Sequence, residues 1–293
     1  MPGDDAAGDW ERVFMEDRRE RLTSKAFALR KRMLEMCIAA GKGHVTSSLS
    51  CMEILVALYY GNILRHDPRN PQWEQRDRFI LSKGQASPAL YTILADLGYF
   101  DASLLERFAR LNGRFAVHLQ KDVPGVEITA GSLGQGFGLA AGLALGFQMN
   151  RTLQTVYCLI GDGECYEGSI WETAMFAAHN RLNNLVAIVD RNYLCVTDFT
   201  EKLVALEPLD EKWRSFGFHV VRVDGHSFDA LLPVLHSLKS RPHPQPTAII
   251  ADTIKGCGVD CICYDPLWHG CAPRGEAAEE CLLALEKGAS HVQ

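Results

Sequence analysis

The chain reads as an α/β protein: a parallel β-sheet with helices on both faces. Two observations predict this class. Short apolar runs of strand length recur, namely RFILS, TVYCLI, LVAIVD, HVVRVD and TAIIAD, with helix-like segments between them. These runs are also too continuously apolar for a sheet with one wet face, and alternation of such strands with helices indicates a parallel sheet covered on both sides. No linker or internal repeat interrupts the pattern. The reading is therefore a charged lead-in over residues 1–20 and a single domain over 21–293.

Taken in order, helical sequence begins near Trp10 and continues from Leu22 to Ala40, where Gly41 supplies a C-cap. A second helix fits Ser50 to Tyr60. The tract HDPRNPQWEQRD is a loop, because its two prolines forbid a continuous helix. After RFILS, helical sequence runs from Ala86 to Leu97, and a short helix is expected over Ala102 to Leu111. The stretch from Asn112 to Gly131 is irregular and carries His118. A glycine-rich helix follows to Met149, and further helices are expected near Ile170–Asn180, Leu209–Phe216, Phe228–Lys239 and Glu276–Lys287.

Composition narrows the function. Thirty Lys plus Arg against 36 Asp plus Glu give a net charge of −6, the wrong sign for a general nucleic-acid binder. The start, MPGDDAAGDWERVF, lacks the apolar core of a secretory signal and the basic character of a transit peptide. A cytoplasmic protein is expected, and the ten cysteines then read as reduced thiols. Ser132 to Met149 carries Gly134, Gly138, Gly142 and Gly146 at four-residue intervals, a spacing found in membrane helices. The segment barely reaches spanning length and has no positive flank, so no membrane span is expected.

Ligands of parallel α/β sheets bind at the C-terminal ends of the strands. Those ends carry Lys83-Gly84-Gln85, Gly161-Asp162-Gly163-Glu164, Arg191-Asn192-Tyr193-Leu194 and Thr253-Ile254-Lys255-Gly256. Asp162 sits between two glycines, which permit a tight turn and close backbone approach to a ligand. A right-handed crossover can set Asn192 beside it. A carboxylate, an amide oxygen and the Leu194 carbonyl are hard donors suited to Mg²⁺, which commonly shares its shell with phosphates. The helix starting near Gly168 adds a positive dipole end.

GDG with Asn192 beyond the next strand looks like the thiamine-diphosphate motif. The blocks GHVTSSLSCMEILVALYY, NPQWEQRDRFILSKGQASPALY, VPGVEITAGSLGQG, GDGECYEGSIWETA and LWHG resemble the transketolases, in family order. Within that family the chain is similar to the diphosphate-binding (PP) domain, as found in the amino-terminal subunit of split enzymes. The resemblance implies thiamine diphosphate and Mg²⁺ as cofactors, with Asp162, Asn192 and Leu194 on the metal. Gly163 would donate its N–H to the diphosphate. Gly131, Ser132 and Leu133 would lie along the cofactor, Ser47 would contact it, and Lys255 and His269 would line the diphosphate and active-site channel. Gly161, Glu164 and Gln85 complete the implied cofactor set.

His44 and His118 match histidines that contact substrate hydroxyls, a sensible role where protons move near neutral pH. Glu167 and Glu172 match glutamates between two cofactor sites at a dimer interface, and the glycine stripe matches a helix at that interface. The implied activity is transfer of a two-carbon ketol unit from a sugar (phosphate) donor to an aldehyde acceptor. The implied partner is a C-terminal transketolase subunit carrying the pyrimidine-binding domain, in a heterotetramer.

Two departures accompany the resemblance. Gln85 stands where the family has a histidine; an amide donates a hydrogen bond but carries no proton. The pyrimidine-binding domain is absent from the sequence, so the chain is expected to be catalytically incomplete without a partner. The alternatives are a subunit of another thiamine-diphosphate enzyme, such as a 2-oxo-acid dehydrogenase, or a non-catalytic scaffold or regulator, which Gln85 alone supports. Cys257, Cys261, Cys263 and Cys271 with His269 offer enough ligands for zinc. Their spacing contains no CxxC pair, and the resemblance gives His269 to the cofactor, so reduced thiols are the preferred reading.

Overall fold

The structure is a computed structural model that describes residues 5–111, 113–240 and 243–289, with side chains described from 16 to 288. Residues 1–4 of the lead-in, with 112, 241–242 and 290–293 of the expected domain, lie outside the described residues. Ten helices and seven strands follow in chain order among them. They are α1 (Asp5–Ala40), α2 (Val45–Ser50), α3 (Met52–Tyr60), β1 (Arg78–Leu81), α4 (Ser87–Asp96), α5 (Gln135–Met149), β2 (Val156–Gly161), α6 (Gly168–His179), β3 (Leu185–Arg191), β4 (Leu194–Cys195), β5 (Asp198–Phe199), α7 (Thr200–Leu203), α8 (Leu209–Ser215), β6 (His219–Asp224), α9 (Phe228–Ser240), β7 (Thr247–Asp252) and α10 (Glu276–Ala289).

The five apolar runs are the five strands of one all-parallel sheet, in the order β1-β2-β3-β7-β6. β4 and β5 form a separate antiparallel pair just beyond β3. Alternate residues of each strand enter two different cores. Phe79, Leu81, Tyr157, Leu159, Val186, Ile188, Ile249 and Ala251 pack under α1, α3, α4 and α9. Ile80, Val156, Cys158, Ile160, Ala187, Val189, Ala248 and Ile250 pack under α5, α6 and α8, around the fully buried Trp213. Burial on both faces is why the strands read as unbroken apolar runs.

The helices differ from the sequence reading in three places. The first helix starts at Asp5, ahead of the expected Trp10, and runs on to Ala40 as the sequence reading has it. The helix expected from Ser50 to Tyr60 is two helices, α2 and α3, with a break at Cys51. In α2 the Ser48 and Ser50 hydroxyls bond back to the His44 and Ser47 carbonyls, at 3.0 and 3.1 Å, local bonds that compete with helix propagation. The segment after Asp101 forms only a 3₁₀ turn, Ala102–Arg107. The chain then folds back, with the Gly113 N–H bonded to the Arg110 carbonyl at 2.9 Å.

The chain leaves β2 and β3 toward the face covered by α6 and α8, and leaves β1 and β7 toward the face covered by α4 and α10. Divergent exits of this kind open a crevice at the carboxyl ends of neighbouring strands. No described helix is long and apolar enough to cross a membrane.

Candidate active site

The register pairs Gly161 of β2 with Asp190 of β3, and Arg191 of β3 with Asp252 of β7. That register sets the residues after each strand side by side. Asp162 is buried. Its Oδ1 accepts the Gly163 N–H at 2.8 Å, and its Oδ2 accepts the Tyr193 N–H at 2.7 Å and the Arg191 Nη1 donor at 3.0 Å. Asn192 is also buried, and its Oδ1 accepts the Leu194 N–H at 3.2 Å. The Leu194 carbonyl accepts the Lys255 ammonium at 3.3 Å. The three oxygen donors expected for a metal are thus brought together at adjoining strand ends.

The chemistry of this donor set fits a hard divalent cation: one carboxylate, one amide oxygen and one carbonyl. An ammonium already rests on the Leu194 carbonyl, so positive charge is accommodated here. Burial and the nearby Asp190 carboxylate push Asp162 above its ordinary range, against the pull of Arg191 and the Tyr193 N–H. Burial and the Lys83 charge press Lys255 down to about 8.

Three imidazoles meet over the same strand ends. The His44 ring centroid lies 5.3 Å from His118 and 5.6 Å from His269. His269 Nδ1 is 2.9 Å from the Lys255 ammonium, a donor, so this nitrogen accepts and the ring proton sits on Nε2. His44 Nδ1 is buried with no hydrogen-bond partner among the described residues, an unfilled polar group of the kind a ligand completes. Burial, the neighbouring imidazole and the two lysines lower His44 to about 4; burial, Lys255 and His44 lower His269 to about 3. Both are therefore neutral near pH 7, below the range expected from the sequence. They act as hydrogen-bonding groups rather than as half-protonated acids.

The remaining expected residues fall at several places. Gly131 (φ 150°) lies under the His118 ring, where a Cβ would stand 3.2 Å from the imidazole. Ser132 and Leu133 follow it into the N-terminus of α5. Ser47 is buried in α2, and its carbonyl accepts the Lys83 ammonium at 3.0 Å. Gln85 is half-buried on the 3₁₀ turn Gly84–Ala86 that follows β1. Glu167 and Glu172 are exposed at the start of α6, and a Cβ on Gly134 would stand 2.9 Å from the Glu167 Cβ.

Glu164, expected among the cofactor contacts, ties three loops together. Its Oε1 accepts the Gly134 N–H at 2.7 Å and the Ser82 hydroxyl, and its Oε2 accepts the Gly161 N–H at 3.1 Å. Both oxygens are engaged by donors of the protein itself, so its part in the site is to hold the loops.

Sequence reasoning marked Lys83, Arg191 and Thr253 only as strand-end polar residues and gave Asp190 no role. Arg191 is fully buried and joins Asp162 to the Thr200 hydroxyl at 2.7 Å, Glu201 at 2.7 Å and Glu207 at 3.0 Å. Lys83 is buried against Asp190. The available signal was a charge directly abutting an apolar strand, where burial demands a partner.

The cysteine-rich segment does not converge. Cys261 meets Cys281 of α10 with sulfurs 3.5 Å apart, Cys263 donates to the Gly256 carbonyl at 3.0 Å, and His269 is engaged by Lys255. Among the described residues, no three His, Cys, Asp or Glu side chains are grouped to hold a metal ion.

Comparison with known proteins gives one answer. The family profile described as transketolase, thiamine diphosphate binding domain, matches residues 23–281. A 6-deoxy-6-sulfo-D-fructose transketolase subunit from Clostridium sp. (strain MSTE9) is 43% identical over 83% of this chain and 88% of its own length. An apulose-4-phosphate transketolase subunit from Actinobacillus succinogenes is 35% identical over 92% of this chain and 96% of its own. Human transketolase is 38% identical over 86% of this chain but only 40% of its own. The solved transketolase of Campylobacter jejuni superposes with a TM-score of 0.85 at 31% identity, covering 92% of this chain and 42% of that one. The chain therefore spans about two fifths of a single-chain transketolase and nearly the whole of the subunit forms. It belongs to the transketolase family, as the thiamine diphosphate binding domain.

Proposed function

We propose that the chain is the cofactor-binding subunit of a two-component transketolase, working with thiamine diphosphate and Mg²⁺ in the cytoplasm. The observation that carries this reading is the meeting of Asp162, Asn192 and the Leu194 carbonyl beneath the three imidazoles. The donor is a ketose or its phosphate, and the acceptor an aldehyde. When bound, the cofactor supplies the carbanion chemistry that makes and breaks the C–C bond.

The residues of this chain supply the rest. Asp162, Asn192 and the Leu194 carbonyl would hold the metal and Lys255 would face the diphosphate, whereas the Gly163 N–H, expected on the diphosphate, is given to Asp162 Oδ1. His44, His118 and His269 hold hydrogen bonds at the sugar's hydroxyl and carbonyl oxygens. A neutral His269 with its proton on Nε2 donates from that atom. Gln85 can donate a hydrogen bond but exchanges no proton, which leaves room for an unusual sugar or acceptor.

The partner is a chain carrying the pyrimidine-binding domain, and the assembly is a heterotetramer. Support for self-association comes from α5. A Cβ on Gly142 or Gly146 would touch nothing within 4 Å, and Leu139, Met175 and Phe176 are exposed along α5 and α6. A flat apolar helix face of this kind suits a second copy of the chain. Glu167 and Glu172 stand at the start of α6, within that same region.

The test is reconstitution. The purified chain is assayed for ketol transfer alone and after mixing with its pyrimidine-domain subunit, with Mg²⁺ and thiamine diphosphate. Activity is expected only on mixing. Ketol transfer by the chain on its own would overturn the proposal.

A further inference from the structure

We propose that Asp190 is a positioning residue. It fixes the Asn192 side chain with its amino group inward and its carbonyl oxygen outward toward a divalent cation. The proposal rests on the reading of Asp162, Asn192 and Leu194 as the metal donors.

Asp190 is wholly buried near the end of β3. Its carboxylate gathers donors from four neighbouring segments. These are the Ser50 hydroxyl of α2 at 2.7 Å, the Lys83 ammonium after β1, the Thr253 hydroxyl after β7, and Asn192 Nδ2 at 3.2 Å. Asn192 Nδ2 also faces the Asp190 backbone carbonyl at 3.4 Å.

An amide side chain has two nearly isosteric ends, so its orientation follows from its partners. An ionised carboxylate only accepts, so the Asn192 atom facing it must be the donor. At the other end stands the Leu194 N–H, which only donates, 3.2 Å from Oδ1. Both ends give the same orientation. The flipped amide would set a carbonyl oxygen against a carboxylate and an NH₂ group against an N–H. Oδ1 accepts one hydrogen bond and keeps a second lone pair for a cation. Lys83 supplies the positive charge that lets Asp190 stay ionised without water. The same ammonium holds the Ser47 carbonyl, which fixes α2 and the His44 at its N-terminus.

Groups that orient a metal ligand in this way commonly change metal affinity 10–100-fold when removed. The test uses the full chain reconstituted with thiamine diphosphate and its partner subunit. Mn²⁺ affinity is read from the electron paramagnetic resonance signal of the free ion. Asp190→Asn replaces an acceptor-only group by one that is satisfied by either amide orientation. Because it leaves Lys83 buried without a counter-charge, the charge-neutral pair Lys83→Met with Asp190→Asn is measured beside it. Melting of the cofactor-free protein checks folding.

The expected result for the double variant is Mn²⁺ binding weakened about 10–100-fold. The Mg²⁺ concentration for half-maximal activity rises in step. Thr253→Val removes a hydrogen bond to Asp190 without touching Asn192 and leaves Mn²⁺ affinity within about threefold. The proposal is overturned if the folded double variant binds Mn²⁺ like the wild type while Asp162→Ala does not. Unchanged binding in Asp162→Ala as well would remove the metal reading itself, and the proposal with it.

Discussion

The open face of α5 gives a prediction with opposite signs at two levels of assembly. Gly142 and Gly146 lie in regular helix, and a methyl group at either would meet nothing within 4 Å. Each Gly→Ala change in a helix interior is worth up to about 1 kcal/mol, so the double variant should stabilise the isolated chain by about 2 kcal/mol at most. For domains of this size, each kcal/mol raises the thermal midpoint by about 2–4 °C. Gly136, at the start of the same helix, is the internal control: its Cβ would stand 2.8 Å from the Ser82 Cα. Gly136→Ala should lower stability by about 1–3 kcal/mol through overpacking. On the self-association through α5 proposed above, the added methyls fall between two helices. Overpacking by about 1–3 kcal/mol there weakens association about 5- to 150-fold. Sedimentation velocity over a dilution series gives the association constant, and calorimetry on the dilute monomer gives the midpoint. A Gly142→Ala/Gly146→Ala protein that associates like the wild type, or whose monomer melts lower, would refute the reasoning.

Two further outcomes follow from buried groups. Replacing Glu164 by Gln deprives one of the Ser82, Gly134 and Gly161 donors of its acceptor, and leaving a buried donor unmade costs about 1–3 kcal/mol; urea unfolding should show that loss with little direct effect on cofactor affinity. His44 and His269, lowered to about 4 and 3, should show imidazole proton resonances that titrate below pH 5, and a midpoint near 6.5 for either would contradict the burial argument. Because the unfolded chain binds protons at these sites up to about pH 6.5 and the folded chain does not, their contribution makes stability rise from about pH 4 to pH 6.5.

The sheet was legible because a strand buried on both faces leaves an unmistakable apolar run. All five runs became strands, and the polar residues after β1, β2, β3 and β7 meet at the crevice. Asp162, Asn192 and Lys255 were reachable for the same reason, as charges or amides following such runs. The tie made by Glu164 was hidden, because its neighbours in sequence point to the ligand while its carboxylate is claimed by Gly134 and Ser82 from elsewhere in the chain. Asp190 went unassigned because its place near the strand end looks like ordinary turn chemistry. Only the packing of α2, β1 and β7 around it brings the three donors Ser50, Lys83 and Thr253 that join Asn192 on its carboxylate. The break at Cys51 escaped the pattern because VTSSLS is buried all round and offers no amphipathic stripe to trace.

The central claim is that the ends of β2 and β3 hold the metal and, through it, the cofactor's diphosphate. Calorimetric titration of thiamine diphosphate into the chain with its partner subunit tests this most directly, with Mg²⁺, with chelator, and with Asp162→Ala. Tight binding is predicted only for the wild type with Mg²⁺, with chelator and Asp162→Ala each weakening it at least tenfold, about 1.4 kcal/mol or more. Equal affinity in Asp162→Ala and wild type would contradict the account.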